Sequence, residues 1–406
     1  MRRTIVGRGV SGIHAEKIPY ELWLQIIECS SLDYTDISHL TLVSKFLHFV
    51  AQPFLFSTFQ ISLVRVRAQY PATDLVPCQE IAYHDRLKKR LEFASLPRVV
   101  RFVKAFVIRM GGNRVDLGTD DVIEEKELLE MVFQNIGRFT NLRSFSAQHV
   151  SLTGTHFDSL AKFEYLTEIH LERCQCTGEL GLARFQLKSL SLHGRMTGTH
   201  GWWIPLLKCP SIKQLSYDAV GGSSEDPELF FPALATGPIM RSLKTFRMPA
   251  LATSFPCFVL ALSRCPLLEN LCFASPSLSP PLRPPPPLDT WPLLPPGYLS
   301  NLQAINAPSD LIQYCILRRE TGIRLKHITI SNMLRYTDGI LGAVRDTCPE
   351  LEELVMCVTQ FPLDTFPRPF WVQAVFTAFP KLRGLHVTYG SIHCSYDHVR
   401  GSVSLV

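Results

Sequence analysis

The chain has 406 residues, 46% of them apolar and 19% charged, a balance that suits a chain burying a large core and excludes general disorder. Its formal charge is +5, with 15 Lys/Arg against 9 Asp/Glu in residues 1–110 and 26 against 27 in the remainder. A basic head on a neutral body lacks the concentrated basic face of a nucleic-acid binder. No apolar run approaches the ~20 residues that span a bilayer, and twelve cysteines are scattered without a paired framework. They read as reduced thiols in a cytoplasmic or nuclear setting.

Residues 1–16 read as a flexible basic arm. Gly7-Arg8-Gly9-Val10-Ser11-Gly12 has the spacing of a dinucleotide-binding turn. That chemistry needs a long following helix whose N-terminus holds a pyrophosphate, and Pro19 stands too close to allow one. Residues 17–60 predict three short helices. Pro19 suits a first turn, and Leu22, Ile26 and Ile27 fall on one face of the first helix. Thr35 or Asp36 caps the second, with Ile37 and Leu40; Ser44 starts the third, with Leu47 and Val50, and Pro53 ends it. Three helices in ~40 residues make a core too small to stand alone.

Ile18-Pro19, Glu21-Leu22, Ile26, Ile37, Leu40, Leu42-Val43-Ser44-Lys45 and Pro53-Phe54-Leu55-Phe56 resemble an F-box. The resemblance covers about a tenth of the chain and departs from the family at Phe46-Leu47-His48. It implies docking on the Skp-family adaptor of a cullin–RING ubiquitin ligase, with Pro19, Leu22, Ile26, Leu40, Val43, Ser44, Lys45 and Leu55 as adaptor contacts. The plainer reading is that several of these hold the three-helix core together.

Residues 61–100 read as a helical linker, and the basic stretch Asp85–Lys104 as a solvated helix. From residue 101 to 395 one spacing recurs: apolar, two residues, apolar, one residue, apolar. It starts weakly at Val103-Phe106-Ile108. It then runs through ten better copies, with first positions Leu142, Leu166, Leu187, Ile212, Leu243, Leu268, Leu302, Leu325, Leu351 and Leu382, at steps of 21 to 34 residues. The alternating end of each copy has the period of a short strand. Helical stretches between them stop at Cys209-Pro210, Cys265-Pro266, Cys348-Pro349 and Phe379-Pro380, because proline lacks an N–H and restricts the residue before it.

This alternation predicts an α/β fold with a parallel sheet. It resembles irregular leucine-rich repeats, which run about 20–29 residues. The resemblance implies a solenoid with strands on the concave side and helices on the convex side. The Asn or Cys expected eight residues after the first Leu is present only as Cys174, so a ladder of such side chains between turns is mostly missing.

Pro276–Pro296 holds ten prolines in 21 residues and reads as a disordered insertion, and residues 396–406 as a tail. Residues between buried strand positions point into the hollow: Glu168, His170 and Glu172; Ser189, Ser191 and His193; Gln214, Ser216 and Asp218. This neutral, mixed row suits a protein target. Neither Cys174 and Cys176 nor His386, His393, Cys394 and His398 form the paired motifs of a zinc site. No Ser/His/Asp or Cys/His set can be assembled, and no cofactor is expected. The sequence thus points to a non-catalytic substrate-recognition subunit of a Skp–cullin–F-box ligase, with no nucleic-acid or membrane partner. The alternative is a free-standing repeat scaffold whose N-terminal helices are a cap.

Overall fold

A computed structural model of the chain describes residues 18–30, 32–64, 78–111, 119–178, 185–194, 197–198, 201–218, 225–249, 255–274, 299–317, 324–335, 340–360, 369–389, 392–397 and 402–405. The basic arm, its glycine motif, the proline-rich insertion and His398 lie outside them. The chain divides into two compact units, Met1–Phe145 and Ser146–Val406.

The first unit opens with α1 (Tyr20–Cys29), α2 (Tyr34–Val43) and α3 (Lys45–Leu55). Pro19 takes the N-cap position of α1. Two expectations need correction. The cap of α2 is Asp33, not Thr35 or Asp36: its carboxylate accepts from the Asp36 N–H at 2.9 Å while the Asp36 side chain accepts from the Asp33 N–H, a reciprocal capping box. And Pro53 lies inside α3, which runs on to Leu55. The Ser44 hydroxyl caps α3 by accepting from the Leu47 N–H at 3.1 Å.

A third correction concerns the linker. Residues 58–64 form a strand, β1 (Thr58–Val64), which pairs in parallel with β2 (Ala105–Gly111). Phe56, Phe59 and Ile61 repeat the same apolar spacing one unit earlier than expected, with Ile61 buried. Between these strands lie α4 (Cys78–Ala94) and the short α5 (Pro97–Val100). On α4, Leu87, Leu91 and Ala94 are buried, while Arg86, Lys88, Lys89 and Arg90 are exposed, the amphipathic arrangement of a solvated helix. α6 (Thr119–Ile136) follows, and its Phe133 ring meets Phe145 at 6.0 Å. The core here is aromatic: Phe59, Phe106 and Phe139 contact one another at 5.5 to 5.9 Å. β3 (Ser144–Gln148) straddles the division between the units.

The second unit alternates strands and helices. In order it has β4 (Ser151–Thr153), α7 (Gly154–Leu160), β5 (Glu168–Glu172), β6 (Gln175–Thr177), β7 (Ser189–His193), β8 (Thr197–Gly198), α8 (Ile204–Leu207), β9 (Gln214–Asp218) and α9 (Glu225–Thr236). It continues with β10 (Thr245–Pro249), α10 (Phe255–Leu262), β11 (Asn270–Ala274), β12 (Ala304–Ala307), α11 (Ser309–Leu317), β13 (His327–Arg335), α12 (Ile340–Thr347), β14 (Glu353–Gln360), α13 (Pro369–Ala378), β15 (Gly384–Tyr389), β16 (Ile392–Asp397) and β17 (Ser402–Leu405).

The main sheet of this unit runs β5-β7-β9-β10-β11-β12-β13-β14-β15-β16-β17, so each repeat lies beside the next. The pairings from β5 to β7 and β9, from β9 to β15 in succession, are parallel and in the register of the apolar motif: Ile169 faces Leu190, Leu190 faces Leu215, and Leu215 faces Phe246. β15–β16–β17 closes the array as an antiparallel meander, where a tail was expected. β4, β6 and β8 form a second, three-stranded parallel sheet that the sequence reading did not anticipate.

Three devices tie successive turns together. In most copies the residue after the first apolar position lends its carbonyl to two N–H groups of the next turn: Lys188 O accepts from Lys213 and Gln214, and Lys213 O from Lys244 and Thr245. The residue before that Leu reaches back with its side chain: Asn141 to Arg101 O at 2.8 Å, Ser211 to Leu187 O at 2.8 Å, Asn301 to Pro266 O at 3.1 Å. Cys174 does what its position implied, its thiol donating to Ala147 O at 3.3 Å in the preceding turn.

The turn out of the strand is also shared. His149, Arg173 and Gly194 each stand seven residues after the first Leu of their copies and have φ of +59°, +50° and +73°. This left-handed step sends the chain from the main sheet into β4, β6 and β8. Only Gly194 has the residue type that announces such a step.

Helices cover one face of the sheet through large rings. Phe230 of α9 stacks on Tyr217 of β9 with centroids 4.0 Å apart and planes 7° from parallel, and Phe258 of α10 meets Phe273 of β11 at 5.7 Å. The terminal Cys209, Cys265, Cys348 and Phe379 are all buried before their prolines. In three of these turns the first Leu of the next copy closes a tight turn by donating its N–H to that residue's carbonyl: Leu268 to Cys265, Leu351 to Cys348, Leu382 to Phe379.

Candidate functional site

Two surfaces, one in each unit, carry the residues singled out from the sequence. On the N-terminal helices the side chains sort into two groups. Ile27 (4% exposed), Leu47 (5%), Val50 and Ala51 form the small core. Leu22 (48%), Ile26 (47%), Leu42 (80%) and Val43 (69%) stand in solvent instead. Leu22 and Ile26 are one helical turn apart and share a face of α1. Leu42 and Val43 end α2, where α3 begins.

The remaining expected contacts fall differently. Pro19 and Lys45 are exposed, while Leu40 and Leu55 are half-buried. Ser44 is half-buried and spent on the cap of α3, so its evident role is local. Leu42, Phe49 and Tyr34 are exposed apolar residues absent from the expected set. Phe49 leans on Tyr20, with centroids 5.6 Å apart. Their signal was available: a Leu-Val pair just before a capping Ser leaves both at a helix end, where a short helix cannot cover them.

On the strands the expected alternation holds. β5 and β9 read exposed, buried, half-buried, buried, half-buried, and β7 differs only in a half-buried first residue. Glu168, His170, Glu172, Ser189, Ser191, His193, Gln214, Ser216 and Asp218 therefore lie together on the face opposite the helices. Lateral rows follow from the register: Glu168 beside Ser189 beside Gln214, His170 beside Ser191 beside Ser216, Glu172 beside His193 beside Asp218.

The rows are interlinked. The His170 and His193 rings lie 5.0 Å apart, tilted by 40°. His193 Nε2 is 3.3 Å from the Ser216 hydroxyl, and Gln148 donates to the Glu172 carboxylate at 2.8 Å. Burial, then the neighbouring His193, lowers the His170 pKa against a smaller pull from Glu172. Burial is also the main cause that lowers His193, with Asp218 and Glu172 opposing it and Arg247 adding to it. Farther along, Glu353 lies 3.1 Å from His327 Nδ1 and 3.5 Å from His386 Nε2, one carboxylate between imidazoles of neighbouring strands.

No group of three or more His, Cys, Asp or Glu among the described residues is arranged to hold a metal ion. Cys174 and Cys176 are buried, and burial followed by the nearby Cys174 pushes the Cys176 thiol up to about 11. An open groove of about 450 Å³ beside β12 and β13 is lined by Ser300, Asn301, Leu302, Gln303, Arg324 and Lys326 and has no carboxylate in its wall. Among the described residues, no helix is long and apolar enough to cross a membrane.

These features define an α/β array of strand–helix repeats with a mostly parallel sheet. No protein-family model matches the sequence, and no curated protein matches it. Among solved structures the chain is similar to an internalin from Listeria monocytogenes, at 13% identity and a TM-score of 0.32, covering 63% of this chain and 78% of that one.

Proposed function

We propose that the chain is a non-catalytic substrate-recognition subunit of a Skp–cullin–F-box ubiquitin ligase, acting in the cytoplasm or nucleus. In this reading α1–α3 bind the Skp-family adaptor and the strand face of the repeats holds a target protein. The observation that carries it is the exposure of large apolar residues on α1 and at the end of α2. A cap would turn Leu22, Ile26, Leu42 and Val43 inward, whereas all four stand in solvent while Ile27, Leu47 and Val50 make the core. Large apolar residues left in solvent are the kind of surface that a docking partner covers, which supports this reading. The strand face supports the second half, since its half-buried hydroxyls, amides and imidazoles offer a protein both donors and acceptors.

The test is capture of the full chain by a purified Skp-family adaptor, beside the double variant Leu22→Asp, Val43→Asp. The parent binds; the variant, still folded by circular dichroism, loses at least about 30-fold in affinity, as expected when central apolar anchors are replaced. A folded parent that captures no adaptor overturns the ligase reading and leaves a free-standing repeat binder.

A further inference from the structure

The upstream end of β7, β9 and β10 has a charge pattern that the expected target row did not include. Lys188, Lys213 and Lys244 each precede their strand by one residue. The backbone holds them side by side: the Lys213 N–H donates to Lys188 O at 2.7 Å and the Lys244 N–H to Lys213 O at 2.8 Å. All three are exposed. Strands lie about 4.8 Å apart, so three ammonium-bearing side chains rise from a column about 10 Å long. Like charges directly opposite on neighbouring strands repel. Lys244 is relieved by Glu269 at 2.7 Å, but among the described residues the side chains of Lys188 and Lys213 have no ion pair or hydrogen bond.

A fourth cation completes the pattern. Arg247, on β10, is exposed, lies in register with Ser216 and Cys272, and among the described residues makes no hydrogen bond or ion pair. Its guanidinium presents an unused fork of donors that matches a carboxylate. It sits three residues beyond Lys244, about 10 Å along the strand. Of the acids of this face, Glu172 and Asp218 stand at the opposite, downstream end of their strands, and Glu168 stands at the upstream end of β5 beside Ser189. The upstream edge of β7, β9 and β10 is therefore positive, and the downstream ends of β5 and β9 carry acids.

We infer that the upstream half of the β7–β9–β10 face binds an acidic, Asp/Glu-bearing segment of the target protein. Arg247 clamps one carboxylate, with the Ser216 hydroxyl as neighbour, and Lys213 and Lys188 take others about 11 and about 14 Å away along the diagonal. Charge complementarity selects this occupant, because two lysines and an arginine lack an anion on the protein's own described surface. One isolated arginine rather than a cluster favours carboxylates over a phosphoryl group. The inference rests on the strand face being the target-binding face and is independent of adaptor docking.

The test uses the full chain and fluorescein-labelled decapeptides read by anisotropy: alternating Glu-Ser, alternating Gln-Ser, and the Gln-Ser peptide with phosphorylated serines. The Glu-Ser peptide binds and the Gln-Ser peptide does not. Lys188→Glu with Lys213→Glu weakens binding about tenfold or more, and Arg247→Gln about fivefold or more, as loss of charge-assisted hydrogen bonds implies. Lys188→Gln with Lys213→Gln is the milder pair if charge reversal disturbs folding. Lys88→Glu with Lys89→Glu, on the exposed face of α4, changes affinity less than twofold. Absence of Glu-Ser binding, equal loss in the α4 variant, or binding of the phosphorylated peptide alone overturns the inference. Running the same variants against the adaptor separates the two claims: a chain that captures adaptor but no acidic peptide fails this inference alone, and the converse fails the ligase reading alone.

Discussion

Phe230→Ala tests the packing account most sharply. The ring is fully buried, stacks on Tyr217 at 4.0 Å, and lies 5.5 to 6.1 Å from the rings of Trp203, Phe231 and Phe246. A buried Phe cut to Ala costs about 3–5 kcal/mol through lost transfer energy and a residual cavity. Rigid rings on four sides cannot collapse into the space, and the stacked pair adds about 0.5–1.5 kcal/mol beyond area, so the cost falls in the upper half of that range. Urea unfolding followed by tryptophan fluorescence reads it directly, since Trp203 borders the cavity at 5.6 Å. In a repeat array the loss is felt most by the turns that hold α9 and β9. An unchanged m-value with a stability loss below about 1.5 kcal/mol would refute the claim that this stack locks helix to sheet.

Other outcomes follow from single contacts. Ser44→Ala removes the cap of α3 and costs about 1 kcal/mol in urea unfolding, while Ser44→Asp restores most of it. Gly194→Ala costs about 1–2 kcal/mol, because φ is +73° and the added methyl meets Arg173; Ala at Lys188 costs under about 0.5 kcal/mol. Burial pushes Cys265 and Cys315 up to about 12 and Cys176 to about 11, whereas Cys29 is exposed. Iodoacetamide at pH 8 therefore labels Cys29 in the native chain and spares those three until denaturant is added, as peptide mass spectrometry will show. His170 and His193 have lowered pKa values when folded. Below about pH 6.5 the unfolded chain takes up protons that the folded chain resists, so stability present at neutral pH is lost on acidification. Replacing both by Gln flattens the fall in stability between pH 7 and 5.

The repeat was legible because its buried positions need only volume and spacing. Leu142, Leu166, Leu187 and their successors state both in the sequence, and the copies from β5 to β15 pair in the register the motif implies. The strand before them is less legible although Phe56, Phe59 and Ile61 have the same spacing, because Phe56 also belongs to the Pro53-Phe54-Leu55-Phe56 run that ends the helical module. α9 was hidden by Pro232, which lies inside it. The minor sheet was illegible for a different reason. Its strands are two or three residues long, and the left-handed turns that feed it use His149 and Arg173 as well as Gly194, so no residue type flags them. At the candidate surfaces, spacing told which residues face outward on β5, β7 and β9. It did not separate core from exposed side on three short helices, where Ile26 and Ile27 are neighbours with opposite fates. The lysine column is not legible in the sequence, because Lys188, Lys213 and Lys244 lie 25 and 31 residues apart and meet only through the lateral register.

The measurement that bears most directly on the central claim is amide hydrogen exchange of the full chain with and without a purified Skp-family adaptor. The account predicts added protection confined to residues 20–29 and 34–55, with β5, β7 and β9 unchanged. No added protection in α1–α3, or protection that appears on the strands instead, would contradict it.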